Sequence, residues 1–254
     1  MAHDQFTILT YNIEFNRALV VVPQIITTYQ PDIICLQEVA IGTNDAIRPL
    51  FPGYGLAAMS GSFYHFGKNY GQATYYRLDK CTPLGSRSIL LPKAYYEIIV
   101  TLLTQRGPRT ALCSDFAIQG PHHRKVSVCN LHLTALQASN AARGNQIQEV
   151  LHNLDLSNDQ CVVVLGDLNF PFRKRSLERI MEDNQLSEAT SNVIRTYGAQ
   201  PWAFFEKMLN HLFPISMKCD YIFHTQSLRQ IETQVLNEIK GSDHKPVLCT
   251  LEFM

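Results

Sequence analysis

A layered α/β protein is the fold class this sequence predicts, and three observations carry it. Short apolar runs rich in β-branched residues recur along the chain, as in Val162-Val163-Val164-Leu165, which is the composition of strands buried on both faces. Stretches with apolar residues near 3.6-residue spacing lie between such runs, most clearly at Ala138–Leu154, and read as helices. No Gly/Ser/Pro-rich linker, low-complexity run or fixed-period repeat divides the 254 residues. Residues 1–254 are therefore expected to form a single domain.

The elements follow in chain order. Gln5–Asn12 alternates as a strand, Arg17–Tyr29 has helical spacing and ends before Pro31, and Asp32–Glu38 (DIICLQE) is a second buried strand. Between Gly53 and Thr104 several short strands, Gln72–Arg77 among them, are punctuated by Gly and Pro. Thr110–Gln119 and Lys125–Leu133 flank the turn-like Gly120-Pro121-His122-His123-Arg124 and read as a hairpin. In Ala138–Leu154 the residues Ala142, Ile147, Val150, Leu151 and Leu154 mark one helical face. Cys161–Gly166 is a strand and Ser176–Asn184 a helix, and Tyr221–His224, Ile231–Leu236 and Val247–Phe253 close the chain as strands. The pattern from Ser187 to Phe213 assigns no element.

Composition narrows the function. Apolar residues make up 46% of the chain, enough for a sizeable core, and 22 basic residues balance 22 acidic ones. That balance argues against a dedicated high-affinity DNA binder, which carries a basic excess to neutralise phosphates, but not against an enzyme gripping one or two phosphates. The seven cysteines show no close CxxC or HxxxH spacing of a zinc site. Six of them (Cys35, Cys113, Cys129, Cys161, Cys219 and Cys249) sit in or beside apolar runs, so free buried thiols are expected. The start, MAHDQFTILTYN, lacks a basic region followed by an apolar one, and the apolar stretch around Ala94 to Thr104 contains Glu97 and is too short to span a bilayer. A soluble, cytoplasmic protein is the expectation.

The polar residues at strand ends carry the chemistry. The first strand ends in Asn12, the second in Glu38, Lys125–Leu133 carries Asn130 and His132 two apart, and Cys161–Gly166 runs into Asp167 and Asn169, also two apart. Asp220 instead opens a strand, and Asp243-His244 precedes the last one. Strand ends of a layered protein converge on one edge, where functional residues are placed. Glu38, Asp167, Asp220 and Asp243 gathered there would repel one another unless a cation or proton sat among them. Oxygen donors without Cys suit a hard ion, Mg²⁺ or Mn²⁺, and two histidines beside it suit acid–base work. The pattern points to metal-assisted hydrolysis at phosphorus. Taken singly each residue has a bland reading as a turn residue, helix cap or core histidine, which also covers His65, His152, His211 and His224.

The conjunction resembles the endonuclease/exonuclease/phosphatase superfamily, which includes pancreatic-type deoxyribonuclease, AP endonucleases, inositol-polyphosphate 5-phosphatases and neutral sphingomyelinases. The matching motifs are TYN at Thr10–Asn12, LQE at Leu36–Glu38, NLHL at Asn130–Leu133, GDLN at Gly166–Asn169, CDYIF at Cys219–Phe223 and SDHKPV at Ser242–Val247. The resemblance implies a four-layer α/β/β/α sandwich of two mainly antiparallel or mixed sheets with outer helices. It implies that Glu38 and Asn12 bind the divalent metal and that Asp243 is a further metal or water ligand. Asp167 and Asn169 would orient water and phosphoryl oxygens. His244, held in its tautomer by Asp220, would be general base or phosphate stabiliser, and His132 would donate to a phosphoryl oxygen or the leaving group. Arg109, Asn130, Asn169 and His244 would contact the substrate phosphate, Asn130 also supporting His132. In the deoxyribonuclease-like branch an acidic residue supports that histidine, whereas here Asn69-Tyr70-Gly71-Gln72-Ala73-Thr74 supplies no carboxylate.

These residues imply a Mg²⁺-dependent phosphodiesterase, with nucleic acid favoured as substrate over lipid, working as a monomer without a stable protein partner. The alternatives are a phosphoinositide phosphatase or sphingomyelinase-like phospholipase, and a binding scaffold that has lost its chemistry. Tyr221 follows Asp220 where 5-phosphatases have Arg, which counts against the first alternative. Intact metal and histidine positions count against the scaffold. Several further stretches carry two readings each: Glu14 as a metal contact or a solvated residue, and Arg173-Lys174-Arg175 as a polyanion contact or a solvated helix start. Tyr64, His65, Phe66, Lys68 and Tyr70 suit base stacking, a lipid contact or loop packing. The aromatic stretch Trp202–Phe213 suits core burial or a partner surface.

Overall fold

The computed structural model describes residues 4–65, 67–93, 109–120, 122–134, 139–170, 174–198 and 217–254. The Ala94–Thr104 stretch, Arg173 and the Trp202–Phe213 stretch lie outside them. The strands are β1 (Gln5–Asn12), β2 (Ile33–Ala40), β3 (Tyr54–His65), β4 (Lys68–Arg77), β5 (Cys81–Leu90), β6 (Thr110–Ile118), β7 (Lys125–His132), β8 (Val162–Asp167), β9 (Leu186–Glu188), β10 (Asp220–Thr225), β11 (Leu228–Val235) and β12 (Val247–Phe253). The helices are α1 (Val22–Tyr29), α2 (Asn44–Ile47), α3 (Asn140–His152) and α4 (Arg175–Asp183).

Two mixed six-stranded sheets form, in the orders β11-β12-β1-β2-β4-β3 and β5-β6-β7-β8-β10-β9. One parallel pair sits inside each, β1 with β2 and β7 with β8, and antiparallel partners flank them. Side-chain alternation sorts the apolar residues into layers. Along β8, Val163 and Leu165 enter the core between the sheets, where they join Ile8, Cys35, Val128 and Ile222. Val162 and Val164 point the other way, into a cluster with Ile147 and Val150 of α3 and Leu177 and Met181 of α4. On the far sheet Leu9, Tyr11 and Leu36 pack against Ile25 and Ile26 of α1. The result is the four-layer sandwich with outer helices, and burial of each large apolar side chain contributes roughly 1.5–3 kcal/mol.

Local signals account for most boundaries. Ser139 caps α3 by accepting from the Ala142 N–H at 3.2 Å, and the expected hairpin appears as antiparallel β6–β7. The expected helix from Arg17 begins as a 3₁₀ turn over Arg17–Val21 and becomes α1 at Val22, with Pro23 in its first turn, where the missing N–H costs nothing. The thiol expectation needs one correction. Cys113 and Cys129 face each other across β6 and β7, Cα atoms 4.1 Å apart, and are disulfide-bonded. Their 16-residue separation does not reveal the strand register that brings them together. Cys35, Cys81, Cys161, Cys219 and Cys249 are free. Among the described residues no helix is long and apolar enough to cross a membrane.

Candidate active site

Topology explains why some candidate residues end strands and others begin them. Parallel β1 and β2 both run to one edge, delivering Asn12 and the Glu38 region there, and parallel β7 and β8 deliver His132 opposite Asp167. Strands β10 and β12 are antiparallel to these neighbours, so their starts lie at the same edge. Asp220 pairs directly with Asp167, and His244 precedes β12.

Asn12 sits at the centre, its Nδ2 donating to Glu38 Oε1 at 3.2 Å and to Asp167 Oδ2 at 3.0 Å. Glu38 lies in a β-bulge where the β2–β4 register shifts, with φ of 60°, a left-handed conformation rare for a carboxylate residue. The bulge turns its side chain into the site, where Oε2 accepts from the Phe15 N–H at 3.1 Å. His132 Nε2 lies 3.8 Å from Glu38 Oε1 and 3.6 Å from Asp167 Oδ2. His244 Nε2 is also 3.6 Å from Asp167 Oδ2, while its Nδ1 meets Asp220 Oδ2 at 2.8 Å. Asn169 is likewise left-handed, at φ 53°, and its N–H donates to Asp167 Oδ1 while Nδ2 donates to Leu133 O. Half-buried Asp243 has Oδ1 3.3 Å from Ser242 Oγ, and its own N–H donates to Glu14 Oε2. The Arg109 guanidinium lies over the Phe63 ring, 5.4 Å from its centroid, and that ring meets His132 edge-on at 5.4 Å.

Electrostatics separates the two histidines. Burial, the Arg109 charge and His244 together hold His132 well below the ordinary imidazole value, so it is neutral at neutral pH. Burial opposes the charged form of His244 too, but the carboxylates of Asp220 and Asp167 outweigh it and hold this imidazole well above the ordinary value. Burial pushes Glu38 up to about 7 and Asp167 up to about 6, and the Asn12 amide and His244 only partly counter it. Glu14 is raised by burial and by the Asp243 charge.

Protein groups alone leave Glu38 and Asp167 short of positive charge, and both offer carboxylate oxygens at this edge. That donor set fits a hard divalent cation. Asp167, Asp220 and His244 also bring one donor atom each within 4.8 Å of one another, yet Asp220 and His244 are already hydrogen-bonded together. Glu38 stands outside that group, linked to Asp167 through the Asn12 amide.

Two sequence expectations change. Asn12 turns its amide nitrogen to the carboxylates and its oxygen to the Glu14 N–H at 3.1 Å, so here it bridges the carboxylates and offers them no oxygen ligand. Asn130 is wholly buried: it donates to Leu36 O and Ala73 O and accepts from Gln37 Nε2 at 2.8 Å. With its hydrogen-bonding groups spent on tying the two sheets together, Asn130 has none to give a substrate phosphate. Gly166 fits the close approach of β7 to β8, because a Cβ there would lie 2.0 Å from Leu131 O. The missing carboxylate near β4 is felt at His132, whose buried Nδ1 has no hydrogen-bond partner among the described residues.

Other supporting residues gave no sequence signal. Thr196 Oγ1 accepts from the N–H groups of Cys219 and Asp220 at 3.0 and 3.1 Å. Ser242 Oγ donates to Asn12 O and accepts from the His244 N–H, and Tyr197 packs edge-on against His244 at 5.0 Å. Only the Ser of SDHKPV fell inside a recognisable motif.

Two mixed sheets thus bring carboxylates and two imidazoles together at one edge. A model of the endonuclease/exonuclease/phosphatase family matches residues 9–244, and the chain belongs to that family of phosphate-ester hydrolases, which generally use a divalent metal. A search of curated proteins returned no match. Solved structures similar to this chain include a Bacteroides thetaiotaomicron member of the family, with TM-score 0.72, 19% identity and 98% of each chain covered. The human nocturnin catalytic domain with bound sulfate has TM-score 0.72 at 18% identity, covering 99% of this chain and 94% of that one. ANGEL2, a 2′,3′-cyclic phosphatase in complex with adenosine-2′,3′-vanadate, has TM-score 0.73 at 15% identity, covering 100% and 97%. At such identities the likeness concerns the fold alone.

Proposed function

We propose that this protein is a Mg²⁺-dependent phosphodiesterase that cleaves nucleic acid by attack of water at phosphorus, the whole chain acting as one catalytic domain. The observation that carries the reading is the grouping of two oppositely tuned imidazoles around one carboxylate, Asp167 Oδ2, 3.6 Å from each Nε2. Glu38 would hold the cation, with Asp243 close by. When bound, it supplies a Lewis acid that polarises a phosphoryl oxygen and lowers the pKa of water.

The chain's own residues do the rest. Asp167 accepts the proton of the attacking water, and Asn169 orients that water. His244 is held as imidazolium by Asp220 and donates from Nε2 to a phosphoryl oxygen, the charge being strongest where the transition state is most negative. Its raised pKa favours this role over general base. His132, neutral, donates a hydrogen bond towards the leaving-group oxygen, which takes its proton from solvent as it departs, and Arg109 clamps the phosphate. A nucleic acid substrate is supported by the adenosine-bearing ligand of the structurally similar ANGEL2, and the neutral charge fits local rather than extended backbone contact.

The test is hydrolysis of bis-p-nitrophenyl phosphate with Mg²⁺, with EDTA, and with His244→Ala, followed by plasmid DNA, RNA, sphingomyelin and inositol phosphates. Activity that needs the metal, falls in the variant and extends to polynucleotides is expected. Absence of metal-dependent turnover on every ester overturns the enzymatic reading, and cleavage confined to sphingomyelin or inositol phosphates overturns the substrate.

A further inference from the structure

We propose that Phe15, Phe63 and His65 form a shelf that stacks the nucleobase of the substrate beside its scissile phosphate. The inference rests on the nucleotide phosphodiesterase reading above and deepens it. An aromatic row leads outward from the phosphate-facing residues. Phe63 meets His132 edge-on at 5.4 Å, Phe15 meets Phe63 at 6.2 Å, and His65 stacks on Phe15 at 4.7 Å with planes 20° apart. Buried Tyr70 backs the row, 5.2 Å from Phe15 and 5.9 Å from Phe63.

The row differs from core packing in being half-exposed. Phe15, Phe63 and His65 all keep partial solvent access, whereas the tightest stacked pair of the interior, Phe51 on Tyr75 at 3.9 Å, is buried. Phe15 is also held there against backbone preference. Glu14, Phe15 and Asn16 have φ of 46°, 55° and 71°, three successive left-handed residues without a glycine. Three hydrogen bonds hold the turn: Glu14 N–H to Asn12 Oδ1 at 3.1 Å, Phe15 N–H to Glu38 Oε2 at 3.1 Å, and Ala40 N–H to Asn16 Oδ1 at 2.9 Å. Two of the three partners belong to the candidate catalytic edge, so the turn that shapes that edge also sets the Phe15 ring beside it.

A phosphate gripped by His132 and Arg109 and esterified to a nucleoside carries a planar ring one sugar away, which is the reach of this row. The rim favours a heterocycle over a plain phenyl ring, because His65 and the exposed Asn69 and Lys68 bring hydrogen-bonding groups to its edge. Every base has a π-face, so the shelf would accept bases without reading sequence.

Calorimetric titration of adenosine monophosphate and of ribose 5-phosphate into the metal-loaded protein tests this without turnover. Wild type should bind the base-bearing ligand about ten-fold more tightly. Phe15→Ala and His65→Ala, each first shown by urea unfolding to be folded, should narrow that ratio to about two-fold, and Phe15→Trp should keep it. Equal affinities in wild type, or a preference that survives both alanine variants, overturns the shelf. Phenyl phosphate binding as tightly as adenosine monophosphate also overturns it, assigning the row to an aryl ester instead. Hydrolysis of bis-p-nitrophenyl phosphate separates the two readings: turnover without a base preference defeats the shelf alone, and a base preference without turnover on any ester defeats the enzymatic reading alone.

Discussion

Glu38→Gln in metal-free protein isolates the electrostatic load of the site. The Glu38 carboxyl titrates at about 7 in the folded chain against an ordinary 4.5, chiefly through burial. A raised acid binds more protons folded than unfolded between those values. The penalty is therefore absent below the unfolded value, grows as pH rises through the window and is complete above the folded value. Its full size is on the order of 3 kcal/mol, of which ~2–3 kcal/mol develops between about pH 5 and pH 8.5. Gln keeps one acceptor oxygen where Glu38 accepts from both Asn12 and Phe15, so the variant loses about 1 kcal/mol at every pH. The readout is the change with pH and not this offset. Urea unfolding in EDTA across that range should show wild type losing ~2–3 kcal/mol relative to Glu38→Gln, and saturating Mg²⁺ should restore wild type. Parallel pH dependence of the two proteins refutes the reasoning.

Three further perturbations follow from the geometry. Asp220→Asn removes the charge 2.8 Å from His244 Nδ1: kcat should fall on the order of 10³–10⁴-fold, and the His244 imidazole pKa followed by NMR should drop, an unmoved pKa contradicting the pairing. Asn130→Ala leaves Gln37 Nε2, Leu36 O and Ala73 O short of a partner and should cost ~2–4 kcal/mol in urea unfolding, whereas a loss within about 0.5 kcal/mol contradicts the strut. Thiol labelling of unfolded, unreduced protein should count five cysteines and reduced protein seven, and seven before reduction removes the Cys113–Cys129 bond.

What the sequence revealed follows from which contacts are local. The layer assignment of Val162–Leu165 was legible because a strand buried on both faces must be apolar at every position. The strand-end grammar of Asn12, Glu38, His132, Asp167 and Asp220 was legible because polar groups at the end of such a strand need a partner. Asn130 misled because its neighbours, Gln37 and the carbonyls of Leu36 and Ala73, come from the other sheet, and sheet stacking leaves no periodic trace. Glu38 gave no hint of left-handed backbone, since it is neither glycine nor asparagine and its conformation is imposed by surrounding hydrogen bonds. Phe15 fell into the same gap: three residues past the TYN motif, it gains its setting only from three bonds closed in the folded chain. The Cys113–Cys129 pair was hidden by register, which one residue of slip would undo.

Hydrolysis in ¹⁸O-labelled water with Mg²⁺ most directly tests whether this edge performs metal-assisted attack at phosphorus. Mass spectrometry of the products of a single cleaved diester reports which fragment holds the label. One ¹⁸O in the phosphate-bearing product, none in the released alcohol, and no incorporation in EDTA is the predicted result. Label in the alcohol, or incorporation that persists without a divalent cation, would contradict the account.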